Sequence, residues 1–550
     1  MKTCECKKSG KLFVVSDEEI ELRKRFGFDD FPTMAPEIRL RHRAAFWQHW
    51  NLHRRKCDKT GESIVSVYSE KCPYPVWHKK EWMGHSNPPS ATFDETKNVF
   101  DQMWELFQKC PIPHKVGTGC ENCEYTDDWW YSRNCYLCHS GVECEDLRYC
   151  YRTLKMRDSQ FCVFTFTSEL CVDLINCDKC FEVIYGLHCR NCQNSAFLYD
   201  CRDCKNCLFC FNLRSKQYCI GNKQLTKEVF EIEKKKWDFS SRKVHDQAKK
   251  HFRQMMKTHA WHRAVFVDKC QDSTGNFLEN CKNAKNSFFI ANIEDSVNCV
   301  RGDFTLKTCL DALGLFRSEL LYATTQVQDQ CYECRLSHNL SECRFLDYSA
   351  FCFQCQNCFG CCGLRRKKYC IFNKQYSPEE YEVLRKKIIS YMKKAREWGQ
   401  FFPGHFAPNP YEESLAGFYF PLSEKEQEKL GFRKKEDVEK RKEQYSEIAE
   451  ILDSSQSATE DITKKIFWDE QWKRPFQISK EDIQFSKKLK IPLPDQYYMA
   501  RIQENFQWMP FDGSLRETVC AKTEKKIHTT WGTEFDGRIL CEEEYLKIVK

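Results

Sequence analysis

The stretch CRDCKNCLFCFNLRSKQYC (201–219) sets four cysteines three residues apart and a fifth nine residues later. Such spacing suits an iron–sulfur cluster, a zinc site or a row of small core residues, and the surrounding sequence has to decide. Between Cys120 and Cys219 the chain has 17 cysteines, and every one falls at a position divisible by three. A longer period lies inside the short one: Cys144, Cys162 and Cys180 are 18 apart, as are Cys171, Cys189 and Cys207. A second array repeats the pattern, with Cys334, Cys352 and Cys370 again 18 apart. From Cys331 to Cys370 every cysteine but Cys362 keeps one phase of three.

An 18-residue period without heptads points to a β-solenoid with coils of that length, in which equivalent residues stack about 4.8 Å apart. In a straight strand residues i and i+3 face opposite sides, so a three-residue period demands corners between short extended segments. The opening stretch is then the last coil of its array. CRDCKNCLFCFNLRSKQYCIGNKQ (201–224) aligns without gaps to CFQCQNCFGCCGLRRKKYCIFNKQ (352–375), so the arrays are duplicates. Each runs into a helix-like stretch that Thr226 or Ser377 can cap.

The ends of the chain are duplicates too. FVVSDEEIEL (13–22) matches FQISKEDIQF (476–485), and KCDKTGESIVSVY (56–68) matches VCAKTEKKIHTTW (519–531) at the same offset. Ser16 with Glu19 and Ser479 with Asp482 have capping-box spacing. The predicted fold is mainly β with helical connectors: two tandem cysteine-laddered β-solenoids between two related small α+β ribbon-like modules. The expected segments are an N-terminal ribbon-like module with a basic helix (1–90), a helical connector (91–116), the first solenoid (117–224), a second connector (225–264), the second solenoid (265–375), a helical and charged linker (376–470) and a C-terminal ribbon-like module (471–550). This layout resembles an uncharacterised cysteine-rich family of candidate-phyla (Patescibacteria-type) bacteria with degenerate zinc-ribbon-like ends. HRRKCDKTGESIVSVYS (53–69), the CxxC-rich arrays and the two YCI-x-NKQ closures carry the resemblance. It implies layout and no activity. Members look as if paired CxxC knuckles occupy their ends, whereas here MAPEIRLRHR (34–43) has no cysteine and the first pair reads Cys4-Glu5-Cys6.

Three chemistries compete for the arrays. CRDCKNCLFC and CFQCQNCFGC (352–361) resemble a ferredoxin motif, but the fourth spacing is x2 and no proline follows. Zinc needs two CxxC pairs brought together, and Cys120/Cys123, Cys135/Cys138, Cys177/Cys180, Cys189/Cys192 and Cys331/Cys334 are candidates, with Cys201, Cys204, Cys207, Cys210, Cys352, Cys355, Cys358 and Cys361 in the denser runs. The favoured alternative is metal-free: cysteine is a small, readily buried hydrophobe that fits a narrow interior. At the ends, Cys4, Cys6, Cys57 and Cys72 are the metal candidates, with His53 or His78 to complete a set; Cys520 and Cys541 occupy corresponding places in a C-terminal module expected to be mostly metal-free.

The remaining chemistry is basic. APEIRLRHRAAFWQHWNLHRRKC (35–57) begins with Pro36, suited to the first turn of a helix. Arg39, Arg43, Trp47, Trp50 and Arg54 then share one helical face, a pattern suited to phosphates and stacked bases or to a packed core edge. No phosphate-binding G-x-x-x-x-G-K-[ST], no H-E-x-x-H and no G-x-S-x-G occurs. Mean hydropathy is −0.67 and no run of 18 apolar residues exists, so the expectation is a soluble protein without a membrane partner. No secretory h-region is visible, which makes the cytoplasm the default and free thiols the default state of 37 cysteines. The net charge of +7 permits an acidic partner without requiring one. The functional expectation is a non-enzymatic binding or scaffold protein whose partner is RNA, DNA, a ribonucleoprotein or another protein, with a zinc or iron–sulfur metalloprotein as the alternative.

Overall fold

The structure is a computed structural model. It describes residues 1–549 except 49–50, 86, 303–305, 316–317, 323–330, 333–342, 436–441, 446 and 509–513, and the backbone alone at 302, 306–307, 314–315, 318–322 and 331–332. The chain is mainly β, with a β-solenoid architecture and helical connectors.

The solenoid coil is 12 residues long, not 18. In the array from 117 to 224 the parallel partners lie twelve residues apart: Asp127 with His139, Tyr151 with Val163, Gln193 with Lys205 and Cys207 with Cys219. The corner is a left-handed residue at every third position. Asn122, Tyr125, Asp128 and Tyr131 have φ of 50, 53, 51 and 49°, and the series runs on to Tyr218 at 54°. Each coil is therefore four short sides of three residues: one pointing inward, one extended, one left-handed. The 18-residue spacing is one and a half coils, so Cys144 and Cys162 sit on opposite walls, and Cys201 and Cys219 do not share a column. The stretch Cys201-Cys204-Cys207-Cys210 is one coil with a thiol on each of its four walls, and all four are buried.

In the array from 267 to 375 the register varies from eleven residues (Val267 with Leu278) through thirteen (Ile293 with Leu306) to twelve (Arg344 with Gln356). These slips explain why Cys281 and Cys299 keep a different phase of three from Cys343 to Cys361.

The corner geometry dictates what points inward. The N–H of the extended residue and that of the left-handed residue join the neighbouring coils, as in Glu121 N–H to Ser132 O (3.0 Å) and Asn134 N–H to Glu121 O (3.0 Å). The N–H of the inward residue turns into the core instead, and a buried N–H must find an acceptor. Where the inward residue one coil earlier is Cys, Ser or Met, its side chain supplies it: Cys144 N–H donates to Ser132 Oγ (2.9 Å), Cys171 to Ser159 Oγ (3.0 Å), Cys189 to Cys177 Sγ (3.3 Å) and Ser168 to Met156 Sδ (3.3 Å). The second array uses the same bond, as in Cys355 N–H to Cys343 Sγ (3.4 Å) and Cys361 N–H to Ser349 Oγ (3.2 Å). The thiol hydrogen in turn reaches a carbonyl; Cys177 has those of Ile175 (3.4 Å) and Gly186 (3.3 Å) in range. Cysteine, serine, threonine and methionine are the compact residues that fill a narrow core and still carry an acceptor.

Left-handed residues other than glycine are unfavourable by about 1–2 kcal/mol each, and stacking along the columns offsets this. Tyr149 stacks on Phe161 with centroids 4.7 Å apart, and Phe197 lies between Tyr185 (5.3 Å) and Phe209 (5.2 Å). On another column Asn122 bonds Asn134 (2.9 Å), which bonds Asp146 (3.0 Å). Each array closes with an antiparallel hairpin, Cys219 opposite Gln224 and Cys370 opposite Gln375. A capped helix follows and packs an aromatic on the last column: Phe230 on Tyr218 (5.7 Å) and Tyr381 on Tyr369 (5.8 Å). The open edge that a parallel stack would present is thus covered.

The seven linear segments do not stand as separate bodies. The chain forms two compact units, one from residues 1–115, 265–435 and 511–516, the other from 116–264, 436–510 and 517–550. Each contains one array and one end of the chain, joined internally in the same way. In the first, Arg39 bonds Glu19 (2.8 Å) and the left-handed corner residue Asp311 (2.7 Å). In the second, Arg501 bonds the corner residue Asp173 (2.6 Å), and Asp482 bonds Arg148 (3.0 Å) and the Tyr149 hydroxyl (2.9 Å). Each unit also contains a short parallel strand pair, Ile112–Pro113 with Val76–Trp77 in the first and His262–Arg263 with Ile539–Leu540 in the second.

The inward acceptor is testable at Cys177. Replacing it with serine keeps a donor and an acceptor, whereas alanine leaves the Cys189 N–H buried without a partner, at a cost of about 1–3 kcal/mol. Urea unfolding should separate Cys177→Ala from Cys177→Ser by that amount; equal midpoints would remove the N–H as the reason for the thiol.

Candidate functional site

The predicted nucleic-acid face does not form. The helix Pro36–Ala44 ends before Trp47, and Arg54 stands on the strand His53–Lys56, so the five residues do not lie on one helix. Arg39 and Arg43 are buried against Asp311, and Trp47 is 2% exposed. Arg54 is exposed, and Trp50 lies outside the described residues. The arginines turn inward because Glu19 and Asp311 give them buried carboxylates, partners from 20 residues before Arg39 and 272 after it.

The array cysteines serve the backbone. Cys135, Cys138, Cys177, Cys180, Cys189, Cys192, Cys201, Cys204, Cys207, Cys210, Cys352, Cys355, Cys358 and Cys361 are buried, while Cys123 is half-buried and Cys120 exposed at the open end of its array. Burial pushes the thiols of Cys138, Cys150 and Cys171 well above their ordinary range, so they stay protonated. Cys331 is described only as backbone of the strand Cys331–Tyr332, and Cys334 lies outside the described residues. Among the described residues no three His, Cys, Asp or Glu side chains are arranged to hold a metal ion.

At the ends the turns keep a knuckle-like shape around one acceptor. Cys6 is buried, and burial opposes its ionisation, but the Ser9 hydroxyl and the Ala35 N–H outweigh this and lower its pKa. Cys57 receives the His78 N–H (3.2 Å), so the structure brings it to His78 rather than to Cys72, whose pKa burial pushes up to about 12. Cys4 is half-buried on the strand Lys2–Glu5. His53 pairs with Glu413 (3.1 Å). In the second unit Asp469 takes the place of Cys6, accepting from the N–H groups of Gln471 (2.9 Å), Trp472 (2.8 Å) and Tyr497 (2.8 Å).

A site that the sequence reading passed over lies in the second unit, along the helix Arg242–Thr258. Ser241 caps it, accepting from the Val244 N–H. Its buried stripe is His245, Ala248, Phe252 and Met256, helical spacing that lays Phe252 against Tyr185 (6.1 Å) and Phe197 (6.0 Å) of the aromatic column. The other face carries Arg242, Lys243, Lys249, Lys250, Arg253 and Lys257 with one acid, Asp246. This face and the segment 492–504 enclose a groove of about 510 Å³. Six cations line it (Arg242, Lys249, Lys250, Arg253, Lys257 and Arg501) against three carboxylates (Asp246, Asp495 and Glu504).

Four of those cations are committed: Arg242 to Asp495, Lys249 (3.4 Å) and Arg253 to Glu504, and Arg501 to the buried Asp173. Lys250 and Lys257 are exposed and make no ion pair among the described residues. Burial, reinforced by Lys249, pushes His245 down to about 3, so it is a neutral floor. Half-buried Trp508 lies 5.4 Å from the Arg253 guanidinium. The groove can therefore hold an anion by charge. The composition of the helix carried the signal: five of its cations fall within the sixteen residues RKVHDQAKKHFRQMMK (242–257) together with Lys243, which a reading centred on cysteine treats as a connector.

The buried arginine network gives a direct test of the first unit. Arg39→Met leaves Glu19 and Asp311 short of a partner and should cost roughly 3–5 kcal/mol. Arg39→Glu with Arg43→Glu should unfold the unit, as read by circular dichroism, rather than remove a binding surface from an intact fold. No helix among the described residues is long and apolar enough to cross a membrane. No family model matches the chain, and no curated protein matches it.

Proposed function

We propose that the protein is a non-enzymatic binding scaffold whose second unit holds a single strand of nucleic acid along the basic helix. The observation that carries this reading is the groove beside Arg242–Thr258, where cations outnumber carboxylates six to three and two exposed lysines make no ion pair among the described residues. Phosphates would lie on Lys250 and Lys257. The arrays then act as rigid supports: stacked coils hold the aromatic column that seats the helix, and the thiols satisfy backbone groups.

Lys250→Glu with Lys257→Glu is expected to weaken binding of a single-stranded RNA at least tenfold. It should also flatten the plot of log affinity against log salt by about 1.4, since each phosphate contact to a single strand contributes about 0.7. Unchanged affinity and slope in a folded variant would reject the groove. In the same scaffold reading, a chelator should leave the melting temperature of the protein unchanged; a fall would assign the thiols to a structural metal.

A further inference from the structure

The two ends share a local geometry and differ in one atom type that matters. In the second unit the turn after Arg516–Val519 places Cys520 where Cys57 stands in the first. The Thr523 hydroxyl faces Cys520 as the Thr60 hydroxyl faces Cys57. Twenty-one residues later comes the group whose N–H points at the sulfur: His78 at 3.2 Å from Cys57, and Cys541 at 3.4 Å from Cys520. In the first unit that residue turns its side chain away, since His78 Nδ1 accepts from the Lys80 N–H and caps the helix Lys79–Gly84. In the second it presents a thiol, with the Cys541 and Cys520 sulfurs 3.6 Å apart. Cys520 is fully buried and Cys541 partly exposed.

We infer that Cys520 and Cys541 form a thiol-oxidation site, a dithiol that a peroxide closes to an intramolecular disulfide. Cys541 is the sulfur a small oxidant can reach. As a thiolate it attacks one oxygen of hydrogen peroxide; the O–O bond breaks, hydroxide leaves and Cys541 becomes a sulfenic acid. Cys520 then attacks the Cys541 sulfur, the S–S bond forms and a second hydroxide departs. The two thiol protons convert both hydroxides to water, so two thiols and one peroxide give one disulfide and two waters. The sulfurs lose two electrons and the peroxide gains them.

Cys520 suits the second step because its surroundings favour the thiolate. Burial opposes ionisation, but the Thr523 hydroxyl and the N–H groups of Cys541, Lys522 and Thr523 outweigh it and bring the pKa down to about 7. Among the array thiols, Cys138, Cys150 and Cys171 are buried and held protonated. Cys57 has the favourable donors and no second sulfur, which makes it an internal control.

The test uses the full-length reduced protein. It is treated with one equivalent of hydrogen peroxide, alkylated under denaturing conditions and mapped by mass spectrometry. The expected product is a Cys520–Cys541 cross-link, lighter by two hydrogens than the dithiol and reversed by a thiol reductant, while Cys57 and the array cysteines remain alkylated. Cys541→Ser should abolish it, and His78→Cys should create a corresponding cross-link to Cys57. Full alkylation of both Cys520 and Cys541 after peroxide would overturn the proposal. So would oxidation of array cysteines at the same dose, or protection of the pair by co-purified zinc that a chelator removes.

Discussion

A left-handed residue at every third position is the constraint on which the rest of the structure depends. It folds twelve residues into a closed coil of four sides, and it turns one N–H in three toward a buried core. A cysteine or serine one coil away gives that N–H an acceptor, as Cys177 does for Cys189 and Ser132 for Cys144. The cysteine content follows from this: sulfur is the acceptor that also packs as a hydrophobe. Serine and threonine substitute at the same positions, and methionine does so once, at Met156 beneath Ser168. Where neither size nor bonding allows a side chain, the coil drops it. Gly141 lies over Trp129, whose ring would come within 2.1 Å of any added Cβ.

This constraint also decides what the sequence could reveal. Inward positions recur at three because all four walls are alike, so cysteine reports the side and is blind to the coil. Multiples such as 9 and 18 appear wherever two walls happen to carry sulfur. The coil length is written on the outside instead. Glu121, Arg133, Glu145, Arg157 and Glu169 alternate in charge at steps of twelve, and Arg133 and Arg157 both pair with Glu145. Tyr149 and Phe161, and then Tyr185, Phe197 and Phe209, repeat at the same step and stack. The need for corners was legible from the conflict between a period of three and a straight strand. The coil length was legible only in the columns that face outward.

The basic segments were misassigned for a different reason. A helical face with arginines and tryptophans has the same spacing whether it meets solvent or a core, and only a distant carboxylate settles which. For Arg39 and Arg43 that carboxylate is Asp311, on an array corner. Aspartate tolerates the left-handed conformation better than most residues, so a corner can carry a buried anion where an arginine docks. Asp173 does the same for Arg501. These pairs fix the end modules to their arrays and neutralise their arginines. The helix Arg242–Thr258 keeps exposed cations, and its apolar stripe, not its charges, seats it.

The two units keep this docking and diverge at their edges. The helix preceding the paired strand is VFDQMWELF (99–107) in the first unit, with two acids and no cation, and RKVHDQAKKHFRQMMKT in the second. The residue over the knuckle sulfur is a capping histidine in the first and a thiol in the second. Both differences place reactive or charged groups on the second unit and leave the first with apolar or self-satisfied ones. Duplicated scaffolds bear such divergence well, because coil bonding and the arginine–aspartate docking use none of the residues that differ.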